Sequence, residues 1–165
     1  MEKTNAMRLL DAAGIGYTVK TYAAGDARSG LDAARLLGIP PERVFKTLAL
    51  QAQSGGGARE TGKGRYLVCC IPAAEALDLK KAARIAGEKK VDLIPQKDLL
   101  AVTGYVRGGC SPIGMKKPFP TYVDESAELW ETIAVSAGVR GCQMLLAGRD
   151  LLAYTSGVLA DLTER

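Results

Sequence analysis

Gly108-Gly109-Cys110-Ser111-Pro112-Ile113-Gly114 carries the densest chemical signal in the sequence. Glycines without a Cβ let a backbone approach a ligand closely and aim consecutive N–H groups at it. A loop of this kind can hold a carbonyl oxygen, a ribose or a phosphate. Lys116 and Lys117 behind it add cations that could meet phosphates. Composition alone is equally compatible with a structural turn and two solvated lysines. Neither GxxxxGK[ST] nor GxGxxG occurs, so this is not one of the standard nucleotide-phosphate loops.

Lys46 is the second candidate, because it interrupts the apolar run VFKTLAL. An inward charge there is costly unless it is paired or faces a cleft. Strand alternation sets Val44, Lys46 and Leu48 on one face and Phe45, Thr47 and Ala49 on the other. Both faces are mostly apolar, so the pattern does not say which one meets solvent, and an outward lysine on a half-exposed strand is the simpler reading beside one lining a cleft. Histidine is absent, which removes the Ser-His-Asp triad, the Cys-His pair and the imidazole metal ligand. Any reaction must use other groups, or groups that the substrate brings. Cys69 and Cys70 fall in an apolar run and read as small hydrophobes. Cys110 is the cysteine placed to react, and without histidine it would need a helix N-terminus or a lysine field to activate it. Asp124-Glu125 reads as a helix start, where carboxylates suit the dipole. No metal-ligand cluster or cofactor motif is legible, so neither group is expected.

The elements that must position these residues follow from periodicity and punctuation. A helix is expected from Asn5, stopped at Gly14, and a strand over Tyr17 to Tyr22. A short helix follows over Leu31 to Leu37, ended by Gly38, then a strand over Val44 to Leu50. Residues 51–64 hold five glycines and no large apolar side chain, which reads as a hairpin-type loop or short insert. A buried strand is expected over Arg65 to Ile71, then two helices, one capped by Asp78 and one opening near Pro95. Short strands over Thr121 to Val123, Thr132 to Ser136 and Gln143 to Ala147 come next, the last two joined by a glycine-bearing hairpin. A helix near Asp150 to Tyr154 closes the pattern. The fold class is therefore α+β, a mixed, curled sheet or partly closed barrel surrounded by short helices.

A chain of 165 residues is expected to form one domain over 1–165. With 47% hydrophobic and 24% charged residues it has globular composition. No apolar run approaches a bilayer span and the start, Glu2-Lys3-Thr4-Asn5, is polar, so no signal peptide and no membrane contact are expected. The cysteines form no CxxC, which suits reduced thiols in the cytoplasm. A net charge of +4 mildly favours an anionic partner, nucleic acid or nucleotide rather than membrane.

Four segments in order, VFKTLAL, LDLKKAARIAGEKKV, TGYVRGGCSPIGMKK and IAVSAGVRG, together resemble the YbaK/EbsC family of Cys-tRNA(Pro) deacylases, relatives of the editing domain of bacterial prolyl-tRNA synthetases. The resemblance covers Met7 to Leu162, with GGxSPxG as its most specific motif. It implies that the ligand is the aminoacylated 3′ end of tRNA. By similarity Lys46 would meet the acceptor end, and Gly108, Gly109, Ser111, Pro112 and Gly114 would hold the terminal adenosine and the ester. Lys46, Gly108, Gly109 and Ser111 would act catalytically, with Tyr22, Ser29, Pro112, Gly114, Ser136 and Gln143 binding substrate. Ser29 and Gln143 stand where some cysteine-specific members carry phenylalanine and aspartate, so both bear on which amino acid fits. The implied reaction is trans-editing: the substrate cysteine's thiol attacks its own ester and releases a thiolactone, while the protein supplies position and backbone hydrogen bonds. Two further readings stand beside it, water-mediated removal of alanine or serine, and a non-catalytic module that holds an acceptor end or nucleotide. Prolyl-tRNA synthetase is the protein partner that the family suggests.

Overall fold

The computed structural model describes residues 2–53 and 65–164. Capping decides where its helices begin. Thr4 accepts from the Met7 N–H to start α1 (Asn5–Ala12), which buries Ala6, Met7 and Leu10. Ser29 accepts from the Asp32 N–H to start α2 (Gly30–Leu37), and Gly38 stops it in the left-handed region. Asp78 accepts from Lys80 and Lys81 to start α3 (Leu79–Ala86). Pro95 precedes α4 (Gln96–Thr103), and α5 (Gly148–Thr155) buries Leu151. These side-chain acceptors satisfy N–H groups that the first turn of a helix cannot.

The strands are β1 (Thr18–Thr21), β2 (Phe45–Gln53), β3 (Tyr66–Pro72), β4 (Lys90–Leu93), β5 (Thr121–Asp124), β6 (Ile133–Ser136), β7 (Cys142–Leu146) and β8 (Val158–Ala160). They form a five-stranded sheet in the order β4-β2-β3-β5-β8 and a three-stranded sheet in the order β1-β7-β6. β3–β5 and β5–β8 are parallel, and the other pairs are antiparallel. Both sheets end in unpaired edges and meet at the Val44↔Ala134 bridge. The described strands form no closed barrel; the mixed strand pairing expected from the sequence is present, divided between two sheets with short helices around them. β2 runs on to Gln53 and pairs with β3, as a hairpin should, and residues 54–64 of the glycine-rich stretch lie outside the described residues. β4 and β8 were not anticipated, because each is short and buries little, with Val91 the one buried residue of β4.

The small sheet divides the core. Ile133, Val135, Cys142, Met144 and Leu146 pack with Phe45, Val68 and α1 on one side. Ala134 and Leu145, on the other side, pack with Val44, Ile39, Ala73 and Ala34 of α2. A third cluster, with Leu50, Leu67, Ile71, Ala82, Val91 and Leu162, joins the large sheet to α3. The face of the small sheet that α2 covers is the one that turns polar further along.

Candidate functional site

Register places three predicted or neighbouring polar residues on one rung of the small sheet. Gln143 pairs with Lys20 on one side and with Ser136 on the other. Residues opposite one another in antiparallel strands share a face, so these side chains continue the face of Ala134 and Leu145. Ser136 and Gln143 are 8% and 7% exposed. The Ser136 hydroxyl accepts from the Gly138 N–H at 3.1 Å, whereas the Gln143 Oε1 is buried without a partner. Lys46 reaches the same region from β2. Val44 bridges Ala134 in parallel, and Ala134 donates to Arg43 O at 3.0 Å. Lys46 and Ser136 each lie two residues on from this bridge along their strands. The lysine is half-buried, and that burial lowers its pKa from the usual lysine value, with Glu75 opposing the shift.

α2 closes this region from above. A Cβ on Gly30 would lie 2.8 Å from the Cβ of Ala73, and Ala73 donates to Val44 O at 2.7 Å. The start of α2, with its cap Ser29, therefore sits beside the strand pair that carries Lys46. Ser29 itself is exposed and spends its hydroxyl oxygen on the helix cap.

The glycine loop docks on the β6–β7 hairpin backbone to backbone. A Cβ on Gly109 would lie 3.3 Å from Val139 Cα and Arg140 N, so any side chain there would push the two backbones apart by a few tenths of an ångström. At Gly141, with φ +83°, a Cβ would lie 2.7 Å from Tyr22 O. Tyr22 answers with its own N–H, which donates to Gly141 O at 2.9 Å. The hairpin is thus clamped between the glycine loop and Tyr22, and it runs straight into Ser136 and Gln143. Buried Ser111 accepts from the Ile113 N–H at 3.2 Å, and the Tyr105 hydroxyl donates to Ile113 O, which together shape the loop. Pro112 and Gly114 line a different groove of about 660 Å³, with Leu9, Phe119, Lys116 and Tyr154, to which Lys46, Ser136 and Gln143 do not contribute.

Cys110, the cysteine that the sequence places in the glycine loop, is closed off from solvent. It is 9% exposed, and burial pushes its thiol up to about 11. Cys69 and Cys70 rise to about 12 for the same reason. A thiol is a nucleophile only as its thiolate, so burial silences all three at neutral pH. Ser111 and Ser136 have their oxygens engaged in turns, and histidine is absent from the sequence. Among the described residues no group of three or more acids, cysteines or histidines could hold a metal ion. What the region offers is backbone N–H groups, one partly desolvated amine and one unpartnered acceptor. Tyr105, Arg107 and Arg140 were missed from sequence. The available signal was that the arginines directly precede glycines, in VRGG and VRG.

The family model of the aminoacyl-tRNA editing domain matches residues 25–154. A protein of Enterococcus faecalis (strain ATCC 700802 / V583), whose assigned name is Cys-tRNA(Pro)/Cys-tRNA(Cys) deacylase EbsC, is 44% identical over 99% of this chain and 95% of its own length. A solved structure described as a trans-editing enzyme for prolyl tRNA synthetase superposes with a TM-score of 0.81 at 24% identity, over 99% of this chain and 100% of that one. A scaffold protein from computational epitope grafting superposes equally, with a TM-score of 0.81 at 24% identity over 98% of this chain and 99% of that one. At such identity the two structures speak for the fold alone, while the family match and the Enterococcus relative reach further. The chain is a member of the aminoacyl-tRNA editing domain family.

Proposed function

We propose that the protein is a trans-acting deacylase that removes cysteine from mischarged tRNA(Pro) and from other cysteinyl-tRNAs. The observation that carries this reading is the unpartnered, buried Gln143 Oε1 in a polar face that lacks an activated nucleophile. A buried acceptor without a donor is destabilising by about 1–3 kcal/mol, and the ammonium of an aminoacyl ester is a donor of the right kind. A site with no nucleophile of its own suits a substrate that carries one.

Cysteine is such a substrate. Its Sγ adds to its own ester carbonyl carbon, the bond from that carbon to the ribose oxygen breaks, and the thiol proton leaves with the ribose hydroxyl. The products are a thiolactone and free tRNA. The protein's part is to hold thiol and carbonyl in a reactive arrangement and to offer the Gly108 N–H to the developing oxyanion, while the Gly109 N–H holds the loop in shape by donating to Val106 O at 3.0 Å. Lys46, partly withdrawn from water, attracts the acceptor end more strongly than a solvated lysine would. The described elements are two sheets with short helices around them, which supports leaving tRNA identity to a partner, prolyl-tRNA synthetase, in the cytoplasm. No described helix is long and apolar enough to cross a membrane.

The test is ester loss from Cys-tRNA(Pro), Ala-tRNA(Pro) and Pro-tRNA(Pro) against a control without enzyme. Loss of the cysteinyl ester with thiolactone as first product is expected. Loss of the alanyl ester would transfer the chemistry to water, and stability of all three would leave a binding module.

A further inference from the structure

We propose that Arg107 and Arg140 form a phosphodiester clamp beside the glycine loop, which grips the single-stranded 3′ end of an RNA just upstream of its terminal nucleoside. The choice of RNA rests on the reading of the site as a tRNA deacylase, and the clamp adds a binding element that the reaction itself does not require. The geometry is built rather than incidental. Arg140 Nε donates to Arg107 O at 2.9 Å, and Arg107 Nη1 donates to Gln96 Oε1 at 3.1 Å. Arg140 lies across Gly108, where a Cβ would fall 3.1 Å from its Nε and 3.4 Å from its Cγ. The missing side chain at Gly108 is what allows the guanidinium to lie over the loop.

Each fork is thus oriented through one nitrogen and keeps others for a ligand. Among the described residues Lys3, Arg35, Arg65 and Lys81 are paired with carboxylates, whereas Arg107 and Arg140 are not. An oriented guanidinium without a carboxylate is well suited to a phosphate. The neighbouring side chains extend the match. Val106 and Val139 directly precede the arginines and are 48% and 45% exposed. Exposed apolar surface beside two unpaired guanidinium groups offers a single strand a place for the edge of a sugar or base next to its phosphate, which a free anion would not use.

The probe is an unacylated, fluorescently labelled RNA oligomer ending in CCA, titrated by anisotropy at salt concentrations from about 50 to 200 mM. Each phosphate contact on a single strand contributes about 0.7 to the slope of log K against log salt. Arg107→Gln and Arg140→Gln are each expected to bind about fivefold to tenfold more weakly at low salt and to lose about 0.7 from that slope. Arg140→Lys keeps the charge and should keep the slope. Variants that weaken binding with an unchanged slope would show that the arginines only shape the loop, and this overturns the clamp. Wild-type protein that fails to bind the oligomer overturns it as well. Because the oligomer carries no ester, a clamp that passes beside inert cysteinyl-tRNA would condemn only the deacylase reading.

Discussion

Gln143 shows how one amide can mark a site without doing chemistry. Its oxygen is buried without a partner, while the hydroxyl oxygens of Ser111 and Ser136 are both spent on backbone N–H groups. A methionine has nearly the same shape and no acceptor to leave unpaired. Gln143→Met should therefore unfold at the same temperature as wild type or higher, because an unsatisfied group has been removed. The same change should lower kcat/KM for cysteinyl-tRNA about tenfold, the loss of about 1.4 kcal/mol of transition-state contact. Thermal unfolding and single-turnover kinetics on one preparation decide it: a variant that is less stable yet fully active would remove Gln143 from the site. At this scale the sequence was informative about residue types and silent about their surroundings. Lys46 and Cys110 both stood out, and packing then left one half-buried and silenced the other.

Between residues and fold lies the β6–β7 hairpin, the element that joins loop, strand rung and Tyr22. Its turn was legible from the glycines in AGVRGC, but the reason for Gly141 was not. The chain needs φ +83° there, and Tyr22 O would lie 2.7 Å from an added Cβ. A backbone atom cannot swing aside as a flexible side chain would, and Tyr22 is held by its own hydrogen bond to Gly141 O. Gly141→Ala should cost about 1–3 kcal/mol of stability. Gly16→Ala is the control, since nothing lies within 4 Å of a Cβ there, and it should fall within about 0.5 kcal/mol of wild type. Equal denaturation midpoints for the two variants would rule out the clamped hairpin.

The whole molecule extends beyond the stretch that the family model matches. Residues 25–154 leave out α1, β1 and β8, yet Leu10 and Leu162 are 0% exposed. β1 pairs along its length with β7, and Leu162 donates to Asp124 Oδ1 at 3.0 Å. Removing a buried leucine costs about 2–5 kcal/mol, and domain stabilities run to only about 5–15 kcal/mol. A fragment of residues 25–154 should therefore show no cooperative thermal transition by circular dichroism, while the full chain does. A fragment that melts as sharply as the full chain would mean that the flanking elements are decoration.

Local signals determined most of the elements. Caps at Ser29 and Asp78, stops at Gly38 and Gly104, and the short apolar runs of β2 and β7 are short-range effects that a few neighbouring residues decide. The absence of histidine likewise settled, from composition alone, that no imidazole takes part. Tertiary structure decided the rest, because it depends on residues far apart in the chain. The parallel pairing of β3 with β5 and β8, the open sheets in place of a barrel, and the short strands β4 and β8 come from pairing partners rather than from local pattern. The same holds for the site. Ser136 and Gln143 share a face through the pairing of β6 with β7, and Lys46 comes near them only because β2 meets β6 at Val44 and Ala134. The burial that shifts Lys46 and Cys110 is a property of that packing, and no stretch of sequence carries it.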